Sequence, residues 1–376
     1  MPRARADIAV IGGGPAGAAA ALTLRRHAPR LSVRLIEAGD YSIARPGEIL
    51  PAVARSLLEQ LGVMAAFERQ GFITGRAVAS AWSDDALDER HSIFSAQGPG
   101  WHLDRARFDR LLADAAKAAG AAVTTECAVR SAAAKGEGWR LTLADDSEID
   151  ARGVVWATGR SWRLARPFGA QVRVHSDLVA HTRFFAGVAG DCRTVIEARP
   201  EGWWYSADLP GDRRIIACMT EPQIAETLGL RTRDGWRQAL DATRHMRALL
   251  PPNAREGEVL VRSAGTATID PVAGLRWIAA GDTLFAADPL SSRGIVHALR
   301  SGIIAAYATV DLLGGKTDAI RESEIRRRYA MISAHGFQSY TQALAAHYAE
   351  AARWPEAPFW RNWAQGKTAN RMGVTS

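Results

Sequence analysis

The sequence predicts an α/β protein: a parallel-sheet domain, interrupted by an inserted antiparallel sheet and completed by C-terminal helices. Three patterns support this. A buried strand, an alanine-rich helix and a second strand follow one another within the first 37 residues, which makes a βαβ unit with a right-handed crossover. Between roughly 170 and 220, short strand-like runs alternate with turn residues. Residues 321 to 353 read as helix with mixed charge, followed by a polar tail.

The elements follow in order. Ile8–Ile11 is a short apolar strand, Pro15–His27 an alanine-rich helix, and Val33–Glu37 the next strand. Phe108–Ala119 reads as a helix, with Phe108, Leu111, Leu112 and Ala115 on one face, Asp104 as its cap and Gly120 as its stop. Val179–Phe185, Thr194–Ala198, Trp203–Leu209 and Arg214–Met219 are the inserted strands, and Gly211-Asp212 turns the last hairpin. Alternation places Trp203 and Tyr205 on one face and Trp204 on the other. Trp236–Leu250 reads as helix and Arg276–Ala280 as a returning parallel strand. At 376 residues the chain exceeds one compact core, so two joined domains are expected. Residues 1–75, 100–168 and 255–320 are assigned to the parallel domain, 76–99 and 169–254 to the inserted one, and 321–376 to the C-terminal helices and tail.

Composition excludes some classes. No run of about 18 uncharged apolar residues occurs, so no membrane helix is expected. The apolar run after Met1 is broken by Gly12-Gly13-Gly14, which argues against a signal peptide. Cys127, Cys192 and Cys218 have no metal-ligand spacing, and reduced thiols in a cytoplasmic protein fit them. The formal charge is +7, carried almost wholly by arginine; the only lysines are Lys117, Lys135, Lys316 and Lys367. That charge has two readings, an arginine-rich composition or attraction of an anionic partner. No basic run is interleaved with aromatics, so no nucleic-acid partner is expected.

The chemistry is carried by three segments. Gly12-Gly13-Gly14-Pro15-Ala16-Gly17 is a G-x-G-x-x-G between a strand and a helix. Gly12 permits the tight turn, Gly14 lets backbone approach a pyrophosphate, and Gly17 lets helix pack on strand, while the helix N-terminus at Pro15 and Ala16 supplies amide donors. Glu37, followed by Ala38, ends the second strand where a carboxylate accepts from ribose hydroxyls. These features mean a dinucleotide. The second segment is Gly281-Asp282 after a strand, then Asp288-Pro289-Leu290-Ser291-Ser292-Arg293-Gly294-Ile295 opening a helix; the third is Val154–Gly159, ending in Ala157-Thr158-Gly159.

With Arg105-x-x-Phe108-Asp109, these segments resemble the FAD site of flavin monooxygenases of the para-hydroxybenzoate hydroxylase type. The resemblance implies a Rossmann-like FAD-binding domain of the glutathione-reductase type holding non-covalent FAD. Asp282 would bind the ribityl chain, Thr158 and Gly159 would lie beside the adenosine half, and Arg45, Glu48 and Arg105 would join the cofactor site. The helix opening at Gly294 and Ile295 would face the flavin pyrimidine, where a helix N-terminus stabilises the charge of the reduced ring. It also implies molecular oxygen as co-substrate through a flavin C4a-hydroperoxide, with reduction by NAD(P)H or by a separate reductase.

Gly47-Glu48-Ile49-Leu50-Pro51 and Gly202-Trp203-Trp204-Tyr205-Ser206-Ala207-Asp208-Leu209-Pro210 are similar to a narrower branch. It holds tryptophan halogenases, geranylgeranyl reductases and the flavoprotein maturases of quinone-cofactor amine oxidases. Halogenases of that branch use a lysine after the Gly-Glu-x-x-Pro segment and a glutamate after Pro-Leu; this chain has no lysine before Lys117 and has Ser291 at the second place. Its Trp203–Pro210 strand also departs from their Trp-x-Trp-x-Ile-Pro. The maturase resemblance implies hydroxylation of an aromatic side chain, peptidyl tryptophan presented by a protein, as in maturation of quinohemoprotein amine dehydrogenase. The candidate catalytic segment is Pro289, Ser291, Ser292 and Arg293 with His297; His297 also reads as a packing residue. Trp82, Trp203, Trp204 and Tyr205 read either as walls of an aromatic pocket or as core. A reductase of the geranylgeranyl type and a non-catalytic flavin-binding assembly partner are the alternatives. An open groove for a polypeptide is expected between the inserted sheet and the C-terminal helices.

Overall fold

The computed structural model describes residues 4–188, 190–314, 319–351 and 353–364. Five parallel strands form its centre, in the order Trp277–Ala279, Glu148–Trp156, Ala4–Ile11, Val33–Ile36 and Ala122–Thr124. Ile8, Ala9, Val10, Leu35, Val154 and Val155 have no exposed surface, as expected of strands covered on both faces. An antiparallel pair, Val129–Lys135 and Gly138–Leu143, hangs from Glu148–Trp156.

The N-terminal helix, Pro15–His27, is sealed in. Ala18 to Leu22 are wholly buried, and the helix packs on both Gly294–Leu313 and Arg105–Ala118. Small side chains allow a close crossing: a Cβ on Gly302 would lie 2.2 Å from the Ala16 carbonyl oxygen. Gly294–Leu313 is long and apolar enough to cross a membrane, but it packs on the N-terminal helix and on Glu148–Trp156. Its apolar surface is therefore used in the core. Arg105–Ala118 begins three residues before the expected Phe108 but directly after the expected cap, with the Asp104 carboxylate accepting from the Arg107 amide at 3.2 Å.

The inserted sheet has the order Arg255–Glu256, Val179–Ala186, Arg213–Thr220, Gly202–Leu209, Arg193–Arg199, Ala77–Ala81 and Asp88–His91. Gly211 and Asp212 both take positive φ at its hairpin. Arg255–Glu256 and Leu260–Ser263, assigned by sequence to the parallel domain, instead pair with Val179–Ala186, where they satisfy the backbone groups of an otherwise open edge.

Two further readings are corrected. The helix expected over Trp236–Leu250 is Arg233–Asp241, followed by a short 3₁₀ turn at Arg247–Leu249. The buried Glu197 carboxylate accepts from the amides of Arg244, His245 and Met246 at 2.7–3.0 Å. Those donors are thereby diverted from helical partners, and the helix stops. The second correction concerns the tail: after Ala319–Ala349 a further helix, Pro358–Ala364, buries Phe359 and Trp360. Residues 365–376 of the expected tail lie outside the described residues.

Candidate active site

The site is built first from backbone. Gly12 has φ of +102°, and a Cβ there would lie 2.2 Å from the Ala157 carbonyl oxygen. A Cβ on Gly17 would lie 1.8 Å from the Gly12 carbonyl oxygen. These two glycines are required by the protein itself. Gly14 is different: its Cβ would meet nothing within 4 Å. The space in front of it is open, and the helix it caps has no side-chain cap. Unpaired amides facing open space at a helix N-terminus make an anion cradle, so the residues present fit the pyrophosphate of FAD. Gly294 repeats the pattern at the second helix: nothing lies within 4 Å of its Cβ position, and the cap residue, Arg293, makes no side-chain cap bond. The crossing at Ala16 and Gly302 packs the start of the first helix against the middle of the second; Gly302 carried no signal in the sequence, since one glycine inside a helix is uninformative.

Glu37 is buried, and three donors already occupy its carboxylate. The Gly13 amide reaches it at 2.6 Å, the Gly39 amide at 3.0 Å and the Arg45 guanidinium at 3.0 Å. A carboxylate has about four acceptor positions, which leaves room for one ribose hydroxyl rather than the pair expected. Ala38 is exposed beside it. Arg105 forks onto Asp109, with both nitrogen–oxygen distances 3.1 Å, and also donates to the carbonyls of Pro46 and Gly47. Asp109, only 1% exposed, is thus the anchor that aims Arg105; the sequence reading used it only as part of a signature.

On the other side of the cleft, Gly281 takes φ of +65° and leads into the short turn carrying Asp282. Arg160 is the residue that sequence reasoning missed here. Its guanidinium donates to the carbonyls of Gly265 and Ala287 and pairs with Asp282 at 3.3 Å. It stands directly after Thr158-Gly159, and that adjacency was its one signal. Thr158 accepts from the Trp156 indole at 2.7 Å and donates to the Ser161 carbonyl at 2.6 Å. The Gly159 carbonyl accepts from Thr283 at 3.0 Å.

The candidate catalytic segment is a turn rather than the start of the helix. Pro289–Ser291 is a 3₁₀ turn, Ser292 is left-handed with φ of 50°, and the α-helix begins at Gly294 with Ile295 buried just behind it. Asp288 holds this turn by accepting from the Leu290 amide at 2.9 Å. The Ser291 hydroxyl donates to the Asp288 carbonyl at 2.8 Å, while Ser292 and Arg293 are exposed. His297 donates from Nε2 to the Gly281 carbonyl at 3.2 Å and lies 3.8 Å from the Phe285 ring. Burial holds its pKa below the usual histidine value. His102 is spent on Asp208 and Thr194, and burial lowers it to about 4.

A seam joins this turn to the inserted sheet and the C-terminal helices. Tyr348 donates to Asp288 Oδ2 at 2.8 Å and accepts from the Trp203 indole at 3.0 Å. Tyr340 accepts from the Asp288 amide at 2.7 Å. Burial pushes the Asp288 carboxyl up to about 6. Trp82 donates to the His347 carbonyl and lies edge-on to Trp203, Tyr348 and Trp360. Trp363 stacks on Tyr348 at 3.6 Å. The groove expected between sheet and helices is filled by these rings, since aromatic packing buries more apolar area than an open cleft. Alternation reads correctly: Trp203 and Tyr205 face the parallel domain, and Trp204 enters a separate core with Trp236. Tyr205 donates to Glu48 Oε2 at 3.2 Å, across the boundary between the two sheets.

Comparisons with known proteins agree with this geometry. Residues 41–308 match the family model described as FAD dependent oxidoreductase, and residues 7–74 match that of tryptophan halogenase. The chain is 28% identical over 366 residues to the FAD-dependent oxidoreductase LodB of Marinomonas mediterranea, covering 94% of this chain and 96% of that protein. Among solved structures it is similar to a myxobacterial chondrochloren halogenase, with TM-score 0.86, 21% identity, and 99% and 89% of the two chains covered. It is also similar to a peptidyl tryptophan dihydroxylase essential for tryptophylquinone cofactor biogenesis, with TM-score 0.74, 24% identity, and 96% and 79% covered.

Proposed function

The chain belongs to the FAD-dependent oxidoreductases, and from that premise we propose that it is a monooxygenase hydroxylating an aromatic side chain, peptidyl tryptophan in the maturation of a protein-derived quinone cofactor. FAD supplies the oxygen-activating chemistry; the protein binds it, excludes water and positions the ring. The observation that carries the reading is the polar and aromatic lining of the boundary between the sheets, where Tyr205 meets Glu48 beside Trp203. The similarity to a peptidyl tryptophan dihydroxylase supports the same substrate class. Because the groove is filled, a polypeptide substrate requires the C-terminal helices to give way. The three cysteines are unbridged, which suits a reducing compartment such as the cytoplasm.

The similarity to halogenases favours a second reading, halogenation of an aromatic ring. Against it stand the lysines: Lys117 is exposed, Lys135 pairs with Asp150, and Lys316 and Lys367 lie outside the described residues. Ser291 is tied to the Asp288 carbonyl where halogenases of this branch carry a glutamate. One experiment separates the readings. Reduced holoenzyme is mixed with oxygen and bromide, then offered free tryptophan or a tryptophan-containing polypeptide at equal concentration, and products are weighed by mass spectrometry. Addition of one or two oxygens to the polypeptide is the expected result. Brominated product would replace hydroxylation by halogenation, and oxygenation confined to free tryptophan would retain the chemistry and reject the substrate.

A further inference from the structure

The sequence resemblance assigned Glu48 to the cofactor; its surroundings point elsewhere. Glu48 is 2% exposed and lies immediately before Ile49–Leu50, which pairs with Trp101–His102. Oε2 accepts from Tyr205, whereas Oε1 is buried without a hydrogen-bond partner among the described residues. The Gly47 and Glu48 amides and Arg105 favour its charge, but none completes a bond to Oε1. A buried acceptor left unpaired costs about 1–3 kcal/mol, so its persistence marks a place where a donor arrives.

The donor comes from one of two sources, cofactor or substrate. The flavin edge expected at the Gly294 helix N-terminus carries two carbonyl acceptors flanking a single N–H, and it becomes negative on reduction. A carboxylate turned to that edge would be repelled. The Tyr205 side of Glu48 belongs to the inserted sheet, on the face that carries Trp203. A neutral ring bearing one N–H complements it: apolar surface beside the partly exposed Tyr205, one donor for Oε1. Resting on the monooxygenase reading of this site, we propose that Glu48 is the specificity residue for the substrate, its free oxygen accepting the hydrogen bond of an indole-type ring N–H while Tyr205 holds the other oxygen. Burial pushes the carboxyl up to about 7, with Arg105 and Tyr205 acting in the opposite direction. The group is therefore near the balance between accepting and releasing a proton at neutral pH. Catalysis is not needed for recognition, so recognition can be measured by itself.

The probes are 3-methylindole and 3-methylbenzofuran, near-isosteres that differ in the N–H. Each is titrated into oxidised FAD-loaded enzyme, and binding is read from the visible flavin spectrum. The wild-type protein should prefer the indole by roughly 3- to 10-fold, the net worth of one hydrogen bond at a carboxyl that is not fully ionised. Glu48→Leu should level the two ligands, and Glu48→Gln, which keeps an acceptor oxygen, should retain most of the preference. A preference unchanged in Glu48→Leu, or no wild-type response to the indole, would overturn the assignment. So would loss of FAD from Glu48→Leu, because the free oxygen would then belong to the cofactor. If the preference holds while the mass experiment shows no added oxygen, the recognition stands and the monooxygenase reading falls.

Discussion

Around Gly14 the molecule is made of backbone, and around Tyr348 it is made of side chains. The cradle is formed by a turn and a helix N-terminus within residues 12–17, closed by residues that sequence alone brings close. The seam joins Trp82 to His347, Trp203 to Tyr348 and Trp360 to Arg199, across separations of 145 residues or more. The cradle leaves donors unpaired toward open space, and the seam pairs nearly everything it buries. One region is arranged to receive an anion at little cost to folding. The other stores folding energy in contacts that fix three elements against one another. A substitution at the open position of the first, Gly14, should therefore act on cofactor and spare the fold, and substitutions in the second should act on stability and spare the cofactor.

The largest expected effect tests the cradle. Gly14→Val should weaken FAD binding by at least about 100-fold, roughly 2.7 kcal/mol, because its side chain enters the open space the pyrophosphate needs. Circular dichroism should remain unchanged, since that Cβ touches no protein atom. Gly17→Val should instead abolish soluble folded protein, its Cβ lying 1.8 Å from a carbonyl oxygen. A Gly14→Val protein that stays yellow would break the distinction between the two glycines.

The seam has a pH signature. The folded state raises Asp288 from the usual 3.8 to about 6, so folding favours the protonated carboxyl. The stabilisation is complete below pH 4 and is lost as pH rises through 6. The loss is on the order of 2–3 kcal/mol. Asp288→Asn, nearly isosteric and uncharged, should remove that part of the dependence. Thermal melts from pH 4.5 to 7.5 should show the variant gaining on the wild type as pH rises. Parallel curves would mean that Asp288 stays ionised in the fold.

The smallest effect sharpens the comparison. Tyr348→Phe deletes the hydroxyl between Trp203 and Asp288 and should cost about 1–3 kcal/mol by leaving buried groups unpaired. The melting temperature should fall while FAD content stays at one per chain. Loss of FAD with unchanged melting would show the seam to be part of the cradle.

These regions were unequally legible. The backbone features at Gly12, Gly14, Gly17 and Gly294 could be read because each is local: a positive φ, a missing Cβ, a helix start. The inserted strands were legible from alternation, and Trp203, Trp204 and Tyr205 took the predicted faces. Arg160 was hidden among many arginines, since its role exists only where Gly265, Asp282 and Ala287 converge. The stop after Asp241 was hidden too, because the cap is a carboxylate from Glu197, more than forty residues away. What the chain alone determined is the α/β frame and the dinucleotide cradle, both encoded in spacing between near neighbours. Tertiary structure alone decided which oxygen of Glu48 remains free, which ring closes the groove and which carboxyl is pushed up by burial. Those properties arise from dielectric and packing, and neither exists until distant segments have excluded water together.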